Sequence, residues 1–137
     1  MDRETLRALA RLRLKEARVL LRAGCYEGAY HLAGYAIECG LKACIAKRTR
    51  RYEFPDKRVV MESYTHDLTK LVRVAGLKPS LEQEILRSPA FEANWAVVKE
   101  WDVDSRYRRP TRREAEDLYS AIVNRKDGVL RWIRQHW

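Results

Sequence analysis

The sequence predicts an all-α protein, an up-and-down bundle of four to five helices, and three observations carry that prediction. Apolar residues recur at three-to-four spacing in every long segment, the period of an amphipathic helix rather than of a strand. Helix-start and helix-stop residues bracket those segments. One segment, from about Tyr26 to Lys47, is apolar almost all the way round, as in a helix buried on more than one side. A length of 137 residues suits a single domain over 1–137 and suffices for a real core.

The first helix is expected over Arg3 to Ala23, where Leu6, Leu9, Ala10, Leu14, Ala17, Leu20 and Leu21 share a face and Gly24 ends it. Arg7, Arg11, Lys15, Arg18 and Arg22 form a separate stripe, by default a solvated one. Arg13 falls among the apolar residues and needs a partner. The second helix carries Ala29, Tyr30, Ala33, Ile37, Leu41 and Cys44, and its Gly34 and Gly40 permit close approach of another element. Residues 48–66 break the periodicity with Pro55 and a basic cluster, so a long connection is expected there. A short helix follows from Asp67 to Ala75, stopped by Gly76. Ser80 and Gln83 form a capping-box pattern for a helix into Leu86. Ser88-Pro89 interrupts it before Phe91, Trp95 and Val98 resume a helical face. The last helix opens with Thr111-x-x-Glu114 and keeps one buried stripe, Ala115 to Ile133, to near the C-terminus.

At 46% hydrophobic residues the chain has too much apolar content for a disordered one. No apolar run approaches the roughly 20 residues that span a bilayer, and MDRETLRALARLRLKEAR has no leader-like segment, so a cytoplasmic location is expected. Cys25, Cys39 and Cys44 are odd in number and lack C-x-x-C spacing, which favours small buried thiols over a metal site or disulfide. No metal and no cofactor is expected. Net charge is +9, with 20 Arg against 8 Lys, a bias that suits bidentate phosphate contacts and points to a polyanionic partner.

Two constellations carry candidate chemistry. His31, Tyr35, Glu38 and Lys42, spaced four, three and four, make one polar row on the apolar second helix. The row is either that helix's wet face or the lining of a cleft or two-fold interface. The second is Asp102-Val-Asp-Ser-Arg-Tyr-Arg-Arg-Pro-Thr-Arg-Arg113, in which Arg106, Tyr107, Arg108, Arg109 and Arg112 precede or open a helix. Free N–H groups at a helix start favour anions. The alternative is a solvated loop with Arg106 paired to Asp102 or Asp104.

The stretches LLRAGCYEGAYHLAGYAIECGLKACIAKR, THDLTKL and WDVDSRYRRP, in that order, resemble the HEPN domain family, most specifically through Tyr30, Ala33, Tyr35-Ala36, Glu38 and Leu41-Lys42-Ala43. The resemblance implies a helical bundle that forms a homodimer and associates with nucleotides or RNA. It also implies a place in toxin–antitoxin or defence systems beside a nucleotidyltransferase-like partner. Catalytic HEPN ribonucleases use an R-x(4–6)-H motif near the start of the late helix, and Arg106 to Glu114 contains no histidine. Arg131-x4-His136 has the spacing at the far end of that helix. His66, next to a candidate N-cap Asp67, is the other candidate base. The leading expectation is a nucleotide- or RNA-binding module, more readily a binder than an enzyme. A metal-independent endoribonuclease toxin and a non-catalytic protein-interaction adaptor are the alternatives.

Overall fold

The computed structural model describes residues 2–49, 54 and 56–137, the side chain of Arg106 excepted. Among them the chain is all-helical, as the spacing predicts. It forms α1 (Arg3–Arg22), α2 (Tyr26–Arg48), α3 (Lys57–Glu62), α4 (Leu68–Val74), α5 (Lys78–Arg87), α6 (Pro89–Lys99), a 3-10 turn (Val103–Tyr107), α7 (Arg112–Val123) and α8 (Val129–Arg134). Arg50, Arg51 and Pro55 of the expected connection lie outside the described residues.

Asp2 starts α1 by accepting the Thr5 N–H at 2.7 Å. The helix ends where Gly24 turns to φ +78°, and the N–H groups of Gly24 and Cys25 close back onto Leu21 and Leu20. That double closure needs a residue at ease with positive φ, so glycine fits it. The three-residue turn folds α2 back along α1 as an antiparallel hairpin.

The helix α2 is the axle, touching α1, α4, the 3-10 turn, α7 and α8. Of its 23 residues 13 are buried, from Ala29 to Ile45, so it is enclosed on more than one side. Its two inner glycines admit side chains rather than helix backbones. The Trp101 indole lies where a Cβ on Gly34 would come within 2.2 Å of it, and Ile133 of α8 lies 3.2 Å from a Cβ built on Gly40. Elsewhere in the core Trp132 meets Phe91 and Trp95 edge-on, at centroid distances of 5.8 and 6.4 Å, a favoured aromatic geometry.

Three local expectations are corrected. The connection before His66 contains α3, whose N-cap Asp56 accepts the Arg58 N–H at 2.9 Å. The Ser80–Gln83 capping box does not form, because α5 already begins at Lys78 with no side-chain cap. Ser80 instead turns inward, accepting from Trp132 Nε1 at 3.0 Å and meeting His136 Nε2 at 3.1 Å. The final helix is not continuous. Asn124 Oδ1 accepts from the N–H groups of Lys126 and Asp127 at 3.1 and 2.8 Å, a local turn that outcompetes the helix, and α8 starts afresh after Gly128. The Thr111–Glu114 box forms reciprocally at 3.1 and 3.2 Å. Ser88 both ends α5 and caps α6, accepting from Phe91 N–H at 3.0 Å.

Candidate functional site

The polar row of α2 is built around a buried acid. Glu38 is 2% exposed, and Lys42 Nζ donates to its Oε2 at 3.2 Å. Its Oε1 lies 2.8 Å from His66 Nδ1. A carboxylate out of water needs partners on both oxygens, and both are supplied by local structure. Lys42 stands one turn further along α2. His66 is delivered by the start of α4, where Asp67 caps the helix by accepting the Lys70 N–H at 3.1 Å. A carboxylate only accepts, so the bonding proton belongs on His66 Nδ1, and Nε2 of the neutral ring keeps its lone pair. The His66 side chain is 49% exposed.

Two clefts meet this network. One, of about 530 Å³, runs between Leu9, Tyr35, Glu38, Lys42, Val60 and Tyr64. The other, of about 480 Å³, lies between His66, Asp67, Lys99, Trp101 and Asp102. The Glu38–His66 bond spans from one to the other. Further along the row the His31 and Tyr35 rings stack at 6.4 Å with 8° between planes, and His31 lies 6.1 Å from Trp101. Burial pushes the Tyr35 phenol up, reinforced by Cys39 and Glu38 and opposed by Arg13. Tyr35, Glu38 and Lys42 line the first cleft, with Glu38 buried and His31, Tyr35 and Lys42 half-buried.

The arginine-rich segment is arranged differently. Arg109 Nε donates to Glu27 at 2.9 Å and Arg112 Nε to Glu116 at 2.7 Å, while Arg113 stands 3.8 Å from Asp117. Arg108 lies by Tyr30, whose phenol burial pushes up and Arg108 pulls back. Tyr107 is exposed. At the start of α7, where free N–H groups were expected to favour an anion, the capping box engages the N–H groups of Thr111 and Glu114. The expected Arg106 ion pair involves a side chain outside the described ones. The 3-10 turn packs against α2, with Arg108 by Tyr30 and Trp101, just before the segment, by the next residue, His31.

Arg131 and His136 are not brought together. Arg131 stands on α8, whereas His136 lies beyond its end at Arg134. His136 packs edge-on to Trp132 at 5.7 Å beside Ser80, and burial lowers its pKa. Arg131 is exposed on a groove floored by Leu14 and Ile122. The stripe on α1 is only partly solvated, because Arg7 and Arg11 lie over the Trp137 ring at 5.5 and 5.1 Å. Arg13 finds its partner in Glu16. Burial pushes the Cys39 and Cys44 thiols up to about 11 and about 12, as expected of buried thiols, but Cys25 is exposed.

The His66–Glu38 bond was not readable from spacing, since 28 residues separate the two. The one signal was an acid on an otherwise apolar helix, which has to find a donor somewhere. Lys99 and Trp101 had no such signal beyond the glycine at position 34. Among the described residues no helix is long and apolar enough to cross a membrane.

A family model described as HEPN domain matches residues 4–136. No curated protein and no solved structure matches the chain.

Proposed function

The chain belongs to the HEPN domain family, a family of nucleotide- and RNA-associated modules, and on that premise we propose that it binds a nucleotide or RNA at the Lys42–Glu38–His66 clefts. It acts as a homodimer within a toxin–antitoxin or defence pair, beside a nucleotidyltransferase-like partner. The observation that carries the reading is the burial of Glu38 with both oxygens engaged. A bundle gains little stability from a buried ion pair that an apolar residue would not give it. What Glu38 does provide is a fixed orientation for two donors at cleft mouths. Lys42 offers charge to a phosphate, and the stacked His31 and Tyr35 rings offer a face to a base. Arg108 and Arg109 extend the basic surface along α2, and their exposed contacts exchange readily for phosphate oxygens.

Titration of labelled RNA and of nucleotides, at low and high salt, tests this. Lys42→Ala, and Arg106→Ala with Arg108→Ala, should each weaken binding. The slope of log affinity against log salt should fall by about one for each phosphate that the variant no longer neutralises. Binding that none of these substitutions changes would refute the site.

The Glu38–His66 dyad favours a second reading, metal-independent RNA cleavage. His66 Nε2 would take the proton of a ribose 2′-hydroxyl, whose oxygen attacks the adjacent phosphorus while the 5′-oxygen leaves and takes a proton from water. Cleavage that survives a chelator and disappears in His66→Ala supports it. Cleavage untouched by both His66→Ala and His136→Ala removes both histidines as the base. Absence of any RNA or nucleotide binding would leave the adaptor reading in place of both.

A further inference from the structure

A third cavity, a groove of about 600 Å³, lies between α1, α7 and α8. Leu14, Ile122 and Leu130 form its floor, and Arg125, Arg131 and Arg134 stand among its walls. Arg11 and Arg18 flank Leu14 from three positions before and four after, on the same face of α1, and both are exposed. The groove's lining residues include no carboxylate. Arg125, Arg131 and Arg134 form no ion pair among the described residues, Arg131 acting on Glu84 only through its field, whereas Arg109, Arg112 and Arg113 each pair with an acid. Such an arrangement leaves the fold with mutual repulsion among like charges around an apolar strip. Both terms would be relieved by one kind of occupant.

We propose that this groove docks an acidic amphipathic helix of a partner protein. The floor decides the class. Single-stranded RNA is held by rings on which bases stack, and the floor residues are aliphatic. No aromatic ring is among the groove's lining residues, and Trp137, under Arg7 and Arg11, is 5% exposed. An aliphatic floor instead rewards leucine-like anchors at i, i+3 or i+4, and i+7, the pattern of a helix laid in a groove. Glutamates beside those anchors would meet the arginine rim, which sets orientation and partner choice. Arg131 thereby acquires a role in docking. This surface is separate from the nucleotide cleft, because Leu6 and Leu9 of α1 line that cleft and Leu14 floors this groove.

The test uses the full chain and three labelled probes: a helical peptide with leucines at those spacings and flanking glutamates, a scrambled peptide of the same composition, and a uridine-rich single-stranded RNA. The amphipathic peptide should bind about tenfold or more tighter than its scramble. Arg131→Glu with Arg134→Glu should abolish that preference, and a version of the peptide with lysines for glutamates should then bind the charge-reversed protein. Leu14→Ser should weaken the same peptide. Arg125→Glu provides an independent charge reversal should the double variant fail to melt like the parent. Lys42→Ala, which disables the nucleotide proposal, should leave peptide affinity unchanged. Equal binding of peptide and scramble overturns the docking surface. So does loss of RNA binding on charge reversal while peptide binding persists, or loss of peptide binding in Lys42→Ala.

Discussion

Glu38 and Arg112 each hold an opposite charge at hydrogen-bonding distance, 3.2 Å to Lys42 and 2.7 Å to Glu116, yet they sit in physically different regions. Glu38 is 2% exposed and has replaced water with Lys42 and His66. The Arg112 and Glu116 side chains are 71% and 45% exposed, and Arg109 with Glu27 are 90% and 50%. Water and salt compete for those pairs at every moment, so they hold little structure in place. In the buried network, losing Lys42 or His66 leaves an oxygen of the buried Glu38 without its donor. A run of arginines attracts attention by count, but an acid inside an apolar helix says more about function, because it constrains what must come to meet it.

The sharpest way to break the comparison is to disturb the cover of the buried region. Gly34→Ala places a methyl within 2.2 Å of the Trp101 ring, and neither the helix backbone nor a fully buried indole can give way cheaply. A loss of about 3 kcal/mol is expected in urea unfolding, and an unchanged midpoint would show that Trp101 does not lie over α2. Glu38→Gln comes next. It keeps the shape and removes the charge that Lys42 and His66 both use, for an expected loss of about 2 kcal/mol. A loss no larger than that from Arg112→Ala would erase the distinction between the regions.

Sequence reasoning reached the fold well and the site in part. Periodicity and caps placed α1, α6 and α7, because one face of each packs on the core and the Thr111–Glu114 box is a purely local device, and the all-round apolar character of α2 placed it at the centre. It failed where a polar side chain had two uses. Ser80 looked like a cap, but the Trp132 indole nitrogen and His136 claimed its hydroxyl. Asn124 looked like an interior helix residue until its amide oxygen took two backbone N–H groups. For the site, helical spacing was enough to pair Glu38 with Lys42. Joining His66 to them required knowing that α4 starts against α2, a tertiary fact with no local signature. The arginine groove was illegible for the same reason, since Leu14 and Arg131 are far apart in the chain.

The C-terminal turn is an intermediate case between the two regions. His136 is partly buried, and burial holds its pKa below the ordinary 6.5. The unfolded chain therefore binds a proton at this ring more readily than the folded one does. Stability from this group is complete above about pH 6.5 and is lost as pH falls through the lower folded value. Ser80 fits the neutral ring, because its hydroxyl accepts from Trp132 and can donate to Nε2. Denaturant midpoints measured from pH 8 down to 5 should decline, and His136→Gln should flatten that decline. A slope identical in both proteins would assign it to other groups.

The smallest effect belongs to the arginine segment, and its smallness is the point. Arg109→Ala and Arg112→Ala should leave the melting temperature where it is, because each removes only an exposed pair whose two members return to water. Removing Glu27 or Glu116 should be equally silent in stability. The two kinds of substitution should separate in RNA binding, where loss of an arginine weakens affinity and its salt dependence while loss of the glutamate strengthens affinity by freeing the guanidinium. Opposite signs for the two partners of one ion pair are what a surface held ready for phosphate requires. Matching signs would mean that the pair acts as a unit of structure, and the segment would then resemble the Glu38 network more closely than its exposure suggests.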